Sequence, residues 1–373
     1  MTTGIYLDYN ATCPVRGDVI ELVAAVMGEG GNPSSVHGRG RKARARVETA
    51  RGQIAALIGC KAQEIIFTSG GTEANNMALN GFPGRLIFVS AAEHDSVLAP
   101  ASSRNAPLVS LAPSGLVDLG DLDDKLKSCD EEAVVSIMLA NNETGICQQI
   151  APIAEMVHSY GGLLHVDAIQ AVGKIAVDFR RTGADLMSIS AHKIGGPQGQ
   201  GALVIREGLA IRGWQSGGGQ ELGRRGGTEN VAGIAGFGLA ARMAADDLPC
   251  YAQLQQLRDS MEAQIKAYCP DVKIYGEDTP RLPNTSCLSM PGVRSELQVM
   301  NFDLAGIAVS AGSACSSGKV KASHVLTAMG ADNAEAAEAI RVSLGRETTA
   351  AEMDKFVQVW KKLYEKKSPG KAA

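Results

Sequence analysis

Long apolar runs are missing from this sequence. No stretch approaches the ~20 consecutive apolar residues that a bilayer-spanning helix needs, which argues against an integral helical membrane protein. Residues 1–10 also lack the basic start and apolar core of a secretory signal, so the expected compartment is the cytoplasm. A C-x-x-C pair is absent too. The eight cysteines, Cys13, Cys60, Cys129, Cys147, Cys250, Cys269, Cys287 and Cys315, stand apart from one another, which leaves neither a zinc knuckle nor a dithiol motif. The expectation is that most are reduced and buried. Nor is there a large excess of one charge: 36 Lys and Arg face 40 Asp and Glu, a formal net charge of -4, so no global field favours nucleic acid or an anionic membrane surface. Internal repeats and low-complexity tracts are also absent.

What is present is a chain of 373 residues, long enough for about two domains with sizeable cores. Between residues 65 and 205, short apolar runs alternate with longer mixed segments. Ile65-Ile66-Phe67, Leu86-Ile87-Phe88-Val89, Val134-Val135-Ser136-Ile137-Met138-Leu139, Leu163-Leu164-His165-Val166, Leu186-Met187-Ser188-Ile189 and Ala202-Leu203-Val204-Ile205 read as strands. Their near-continuous apolar character suits a mostly parallel sheet covered on both faces, an α/β layer architecture. After residue 246 the texture changes. A helical segment over 251–268, turn residues over 276–284, and helical patterns near 323–329 and 350–364 predict a smaller α+β domain. We therefore expect a large domain over 15–250 and a small domain built from 1–14 and 251–373.

One basic run, Arg39, Arg41, Lys42, Arg44, Arg46 and Arg51, lies on a segment whose Val47, Ile54, Leu57 and Ile58 form a helical apolar stripe. With an acidic overall balance, a solvated helix face is the expected reading rather than a nucleic-acid helix.

Chemistry concentrates where strands end. Ser190-Ala191-His192-Lys193 follows one apolar run and precedes the glycine-rich turn Gly195-Gly196-Pro197-Gln198-Gly199. A lysine there is suitably placed for desolvation, which lowers its pKa and frees the amine as nucleophile and base. Alone it would read as a surface lysine. Upstream, His165-Val166-Asp167-Ala168-Ile169-Gln170 ends another strand in a carboxylate. A pyridoxal ring needs an acidic partner on its nitrogen, because the protonated ring is the better electron sink. Both residues come from strand ends, the edge where open α/β sheets place ligands. A third element, Thr68-Ser69-Gly70-Gly71-Thr72-Glu73-Ala74-Asn75-Asn76, puts glycines between strand and helix. Backbone N–H groups and the helix N-terminus there suit a phosphate, although a tight turn with a cap reads the same way.

Together with Tyr6-Leu7-Asp8-Tyr9-Asn10-Ala11-Thr12, Gly31-Asn32-Pro33-Ser34-Ser35-Val36-His37, Ala92-Glu93-His94-Asp95-Ser96-Val97, Ala140-Asn141-Asn142-Glu143-Thr144-Gly145, Gly226-Gly227-Thr228-Glu229-Asn230 and Arg341-Val342-Ser343-Leu344-Gly345-Arg346, these segments resemble the cysteine desulfurases of the NifS/IscS type. That group lies within the class V aminotransferases of fold type I. The resemblance runs over nearly the whole chain. It implies a large domain with a mostly parallel seven-stranded sheet and a smaller α+β domain.

It further implies that Lys193 carries the Schiff base of pyridoxal 5'-phosphate and Asp167 pairs with the ring nitrogen. Gln170 and Asn142 would reach the ring hydroxyl, and His94 would stack on the ring and assist proton transfer. Gly71, Thr72, Ser190 and His192 would hold the phosphate, with Thr228 completing that site from the neighbouring subunit of a homodimer. Arg341 would grip the carboxylate of L-cysteine, assisted by Asn142 and Asn32.

The segment Ser310-Ala311-Gly312-Ser313-Ala314-Cys315-Ser316-Ser317-Gly318 surrounds one cysteine with small residues, the composition of a loop. The resemblance makes Cys315 the nucleophile that takes the substrate sulfur as a persulfide and releases alanine. The sulfur would pass to an acceptor or iron–sulfur scaffold protein, and Cys315 is a candidate shared ligand of a [2Fe-2S] cluster on such a scaffold. A selenocysteine lyase or a related pyridoxal-phosphate aminotransferase is the alternative.

Overall fold

The computed structural model describes residues 4–129, 131–312 and 322–367. Its strands are, in chain order, β1 (Ile5–Tyr6), β2 (Ile65–Thr68), β3 (Leu86–Ser90), β4 (Leu108–Val109), β5 (Ala133–Met138), β6 (Leu163–Asp167), β7 (Leu186–Ser190), β8 (Gly201–Ile205), β9 (Thr285–Ser289), β10 (Ile307–Ala308), β11 (Ser310–Ala311) and β12 (Ala339–Ser343). The first four helices are α1 (Gly17–Glu29), α2 (Gly38–Ile58), α3 (Gly71–Asn80) and α4 (Asp95–Ser102).

Seven strands form one sheet in the order β2-β8-β7-β6-β5-β3-β4. β8 runs antiparallel to both of its neighbours, and the remaining pairs are parallel. Every residue of β5, β6, β7 and β8 is buried. That is why these strands read as continuous apolar runs: both faces are covered by helices. The antiparallel β8 leaves the C-terminal ends of β2, β3, β5, β6 and β7 on one edge, so the segments after Thr68, Ser90, Met138, Asp167 and Ser190 converge there. The two-residue β4 gave no periodic signal and was not expected. β8 reads in sequence like its parallel neighbours, because burial on both faces produces the same pattern in either direction.

A second apolar core gathers Leu7, Tyr251, Leu254, Met261, Phe302, Ile340, Val342, Phe356 and Trp360. It is built on the antiparallel sheet β9-β12-β11 and the short parallel pair β1-β10. Phe302 and Phe356 stack with ring centroids 4.7 Å apart. The helical segment expected over 251–268 begins twenty residues earlier. One helix, Val231–Tyr268, runs through Pro249 without a break and places Phe237 and Ala244 in the first core and Tyr251 and Leu254 in the second. Helix α2 packs closely against its first half: a Cβ on Gly238 would run into the Ala50 backbone.

The basic run on α2 divides. Arg39, Arg41 and Arg44 are exposed, while Lys42 and Arg46 pair with Glu29 at 3.1 and 2.8 Å. Arg51 turns inward instead. It donates to Ile65 O at 2.6 Å and forms a two-pronged pair with Glu221 at 2.8 and 3.0 Å, and Glu221 also accepts the Phe67 backbone N–H. Glu221 and Leu222 both adopt left-handed backbone conformations (φ 49° and 58°), which costs about 1 kcal/mol each for residues with a Cβ. The buried pair holds Glu221 there, while the Leu222 side chain is 73% exposed. Replacing Arg51 by methionine would strand a buried carboxylate, and the expected loss of unfolding free energy is about 3 kcal/mol. Chemical denaturation followed by circular dichroism checks this; an unchanged midpoint would mean the pair contributes nothing.

Candidate active site

The sheet edge opens into a cavity of about 370 Å³. It brings together Gly71, Thr72, His94, Asn142, Asp167, Gln170, Ser190, His192, Lys193 and Arg341, with Asn10, Ala11, Ser96 and Ser310 among the other residues lining it. Each arrives on a backbone feature that the local sequence explains. Gly201 of β8 sits between Thr68 of β2 and Ser190 of β7. A Cβ there would lie 2.5 Å from the Gly70 carbonyl carbon, so only glycine lets the loop before α3 reach Ser190. Gly70 itself has φ 154°, and a Cβ on Gly71 would run into the Ile169 side chain.

Lys193 lies in the turn after β7. Its Nζ donates to the main-chain oxygens of Asn10 and Ala11, both at 2.7 Å. Burial, with the Arg341 cation second, lowers its pKa from 10.5 to about 8. The amine is thus far easier to deprotonate than an ordinary lysine. His192, beside it, is pushed down to about 4 by burial and by Lys193, so it stands neutral; its Nδ1 lies 3.2 Å from Thr12 Oγ1.

Asp167 closes β6 and is buried. Its oxygens accept the Asn75 side-chain amide at 2.8 Å and the Ile169 backbone N–H at 3.0 Å. Burial still pushes its pKa above the ordinary carboxylate value. Asn75 also donates to Ser96 Oγ at 2.8 Å, and Ser96 lies 2.9 Å from His94 Nδ1. The Ser96 backbone N–H donates to the same Nδ1 at 3.1 Å, so that nitrogen is the acceptor and a neutral His94 carries its proton on Nε2. A second carboxyl, Glu93, is fully buried in the turn after β3 and accepts the N–H of Met138, at the end of the intervening β5, at 2.6 Å. Burial, and next the Asp167 charge, hold it well above the usual carboxylate range. Burial thus raises both carboxyls.

Arg341, on β12, is buried rather than a surface ion-pair residue. It donates to Asp8 at 2.7 Å and to Asn142 O at 3.1 Å, and its Nε has no partner. Asn142 is held by its neighbour: Asn141 Oδ1 caps the turn through the backbone N–H groups of Glu143 and Thr144, both at 2.9 Å.

Three residues singled out in the sequence stand elsewhere. Asn32 is in an exposed turn, where its side chain accepts the Ser34 N–H at 2.9 Å. Thr228 is exposed and lines a separate cleft of about 250 Å³ with Thr68, Ser69 and Arg225. Cys315 lies outside the described residues. The seven described cysteines are free, and three of them, Cys13, Cys269 and Cys287, are buried. Burial raises Cys60 to about 12 and Cys147 to about 11 and pushes Cys287 up as well, so these thiols are poor nucleophiles. Sequence reading missed Asn10, Asp8, Asn75, Glu93 and Lys174. All but Lys174 lay within quoted motifs, but nothing in their spacing marks Asn10 and Asp8 as the partners of Lys193 and Arg341.

The residues fit pyridoxal phosphate. Ser190 Oγ is buried without a hydrogen-bond partner, and it faces the same space as the glycine turn that opens α3, a ready-made anion site. At the other end, Asp167 offers a buried carboxylate suited to a ring nitrogen. Lys193 lines the same cavity with a depressed pKa. Among the described residues, no helix is long and apolar enough to cross a membrane.

Comparison with known proteins agrees. The family profile described as aminotransferase class-V matches residues 5–356. The cysteine desulfurase IscS of Dictyoglomus turgidum is 40% identical, with 98% of this chain and 96% of that protein aligned. A cysteine desulfurase of Nostoc is 39% identical over 97% of this chain and 93% of its own length. Among solved structures, a NifS-like protein from Rickettsia africae superposes with a TM-score of 0.91 at 38% identity, covering 97% of this chain and 99% of that one. The chain therefore belongs to the class-V aminotransferase family, in its cysteine desulfurase branch.

Proposed function

We propose that this protein is a cysteine desulfurase: it takes sulfur from L-cysteine, leaves L-alanine and carries the sulfur as a persulfide on Cys315. The observation that carries this reading is the convergence of Lys193, Asp167, Gln170, His94 and Arg341 on one cavity, in a chain whose relatives are named for that activity. Those names also favour cysteine over selenocysteine as substrate.

Residues 15–250 form the cofactor-binding domain, and residues 1–14 with 251–373 form the smaller one. Gly71, Thr72, Ser190 and His192 hold the phosphate, and Thr228 of a second copy completes that site in a homodimer. Bound pyridoxal phosphate supplies an electron sink for the charge left when the substrate loses its Cα proton. Asp167 would keep the ring nitrogen protonated, Gln170 and Asn142 would donate to the ring hydroxyl, and His94 would cover the ring. Arg341 would fix the substrate carboxylate with its remaining N–H groups, and Asn142, which lines the same cavity, would assist. Lys193 would hold the cofactor, and its amine, when not so engaged, would be the base that takes the Cα proton.

The Cys315 thiolate then attacks the substrate sulfur. An S–S bond forms, the substrate C–S bond breaks, and its electron pair stays with the carbon fragment, which takes up protons to leave as alanine. The persulfide sulfur passes to an acceptor or iron–sulfur scaffold protein in the cytoplasm. Among the described residues no three side chains are grouped to hold a metal. Cys315 would be this chain's contribution to a [2Fe-2S] cluster shared with that scaffold.

The test is alanine release from L-cysteine by cofactor-loaded protein, with Cys315→Ser alongside. Wild type is expected to release alanine and the variant to release none. Equal release from both would remove Cys315 from the reaction and favour a lyase. Release from neither would point to a different amino-acid substrate.

A further inference from the structure

Lys174 is one of the largest fully buried side chains of the molecule. It lies in the turn after β6, and among the described residues it forms no ion pair. The charged or ionisable groups around it include the thiols Cys13 and Cys147, the cations Lys193 and Arg341, and the His192 imidazole. Two carbonyl oxygens receive its Nζ instead: Gln170 Oε1 at 2.6 Å and Asn10 Oδ1 at 2.7 Å. Gln170 Nε2 points the other way and donates to Asn10 O at 2.9 Å, the same carbonyl that receives Lys193 Nζ.

An amide side chain has an oxygen end and a nitrogen end of nearly equal shape, and only its partners decide which faces where. A backbone carbonyl only accepts, so Gln170 must turn its nitrogen toward Lys193. That orientation stands only if its oxygen meets a donor on the far side. Lys174 is that donor, and it serves in either protonation state, because a neutral amine still has two N–H groups for two oxygens. It holds Asn10 in the same way. Asn10 Oδ1 accepts from Lys174 and from Asn284, while its Nδ2 donates to Thr285 at 2.9 Å and to Asn142 O at 3.2 Å.

We propose that Lys174 is a positioning residue that locks the side-chain amides of Gln170 and Asn10, so that Gln170 presents N–H rather than C=O to the oxygen of a ring bound at Lys193. This rests on the roles proposed above for Lys193 and Gln170. A ring oxygen beside the Lys193 linkage is anionic when the linkage nitrogen is protonated, and an N–H aimed at it stabilises that oxygen and loosens its hold on the proton. Turning a carbonyl toward it has the opposite effect.

The experiment follows the pH midpoint of the visible absorbance of cofactor-loaded protein for wild type, Lys174→Met, Gln170→Ala and the double variant. Lys174→Met is expected to raise the midpoint by about one pH unit. Gln170→Ala should shift it in the same direction, and the double variant should match Gln170→Ala alone, since Lys174 acts through Gln170. Lys174→Leu, which likewise offers no N–H to Gln170 Oε1, gives the same reading if the methionine variant does not fold. An unmoved midpoint in the Lys174 variants would overturn the inference. So would additive shifts, which would mean that the Lys174 charge acts directly through space. A wild-type absorbance that survives Lys193→Ala would instead overturn the site assignment beneath it.

Discussion

Replacing Lys193 by alanine is expected to reduce alanine release by about 10³-fold or more, with the fold retained. Two losses combine. The variant has no amine to hold the cofactor covalently, and it has no base at the position where the Cα proton departs. The structure adds a pH signature that a generic lysine would lack. Because burial and Arg341 hold the amine near a pKa of about 8, its neutral, nucleophilic fraction in the wild-type apoprotein grows about tenfold per pH unit below that value and saturates above it. Cofactor attachment, followed by stopped-flow absorbance, should follow that curve. A rate still climbing steeply at pH ~10, near an unperturbed lysine, would show that the amine is not depressed and that the Arg341 and burial argument fails.

Asp167→Asn is the second large effect, expected at about 10²- to 10³-fold in kcat. The substitution is nearly isosteric, and the surroundings have room to adapt. Asn75 Oδ1 is buried without a partner, so the Asn75 amide can rotate to accept from the introduced amide, while the Ile169 N–H keeps an oxygen to bond. The protein should therefore fold and still bind cofactor. What disappears is the negative charge that keeps a ring nitrogen protonated. Steady-state kinetics beside a cofactor titration separates the two, since kcat should fall while cofactor content stays near one per chain. A loss below about tenfold would show that the ring does not depend on this carboxylate.

Much of this arrangement was legible in the sequence because it is written locally. Lys193 and Asp167 follow apolar runs, and a buried strand ends where a polar residue first appears. The glycines before α3 mark a turn for the same kind of reason. What spacing does not carry is partnership across the fold. Asn10 meets Lys174 and Lys193 from more than 150 positions away, and Asp8 meets Arg341 from the opposite end of the chain. Arg51 shows the same limit: its composition-based reading as part of a solvated face failed because Glu221 waits inside to receive it. The start of the helix Val231–Tyr268 was missed for a different reason. Its first half is buried on nearly all sides against α1 and α2, so it lacks the amphipathic stripe that makes a helix visible.

That helix has a thermodynamic consequence. Phe237 and Ala244 belong to one core, and Tyr251, Leu254 and Met261 to the other, on an uninterrupted rod of 38 residues. Loss of either core would bare half of the rod and remove the packing that keeps that half helical, because an isolated helix is marginal in water. The two cores are thus joined in cooperativity as well as in space. Each stabilises the other through a shared beam, and neither half of the chain is a natural place to cut.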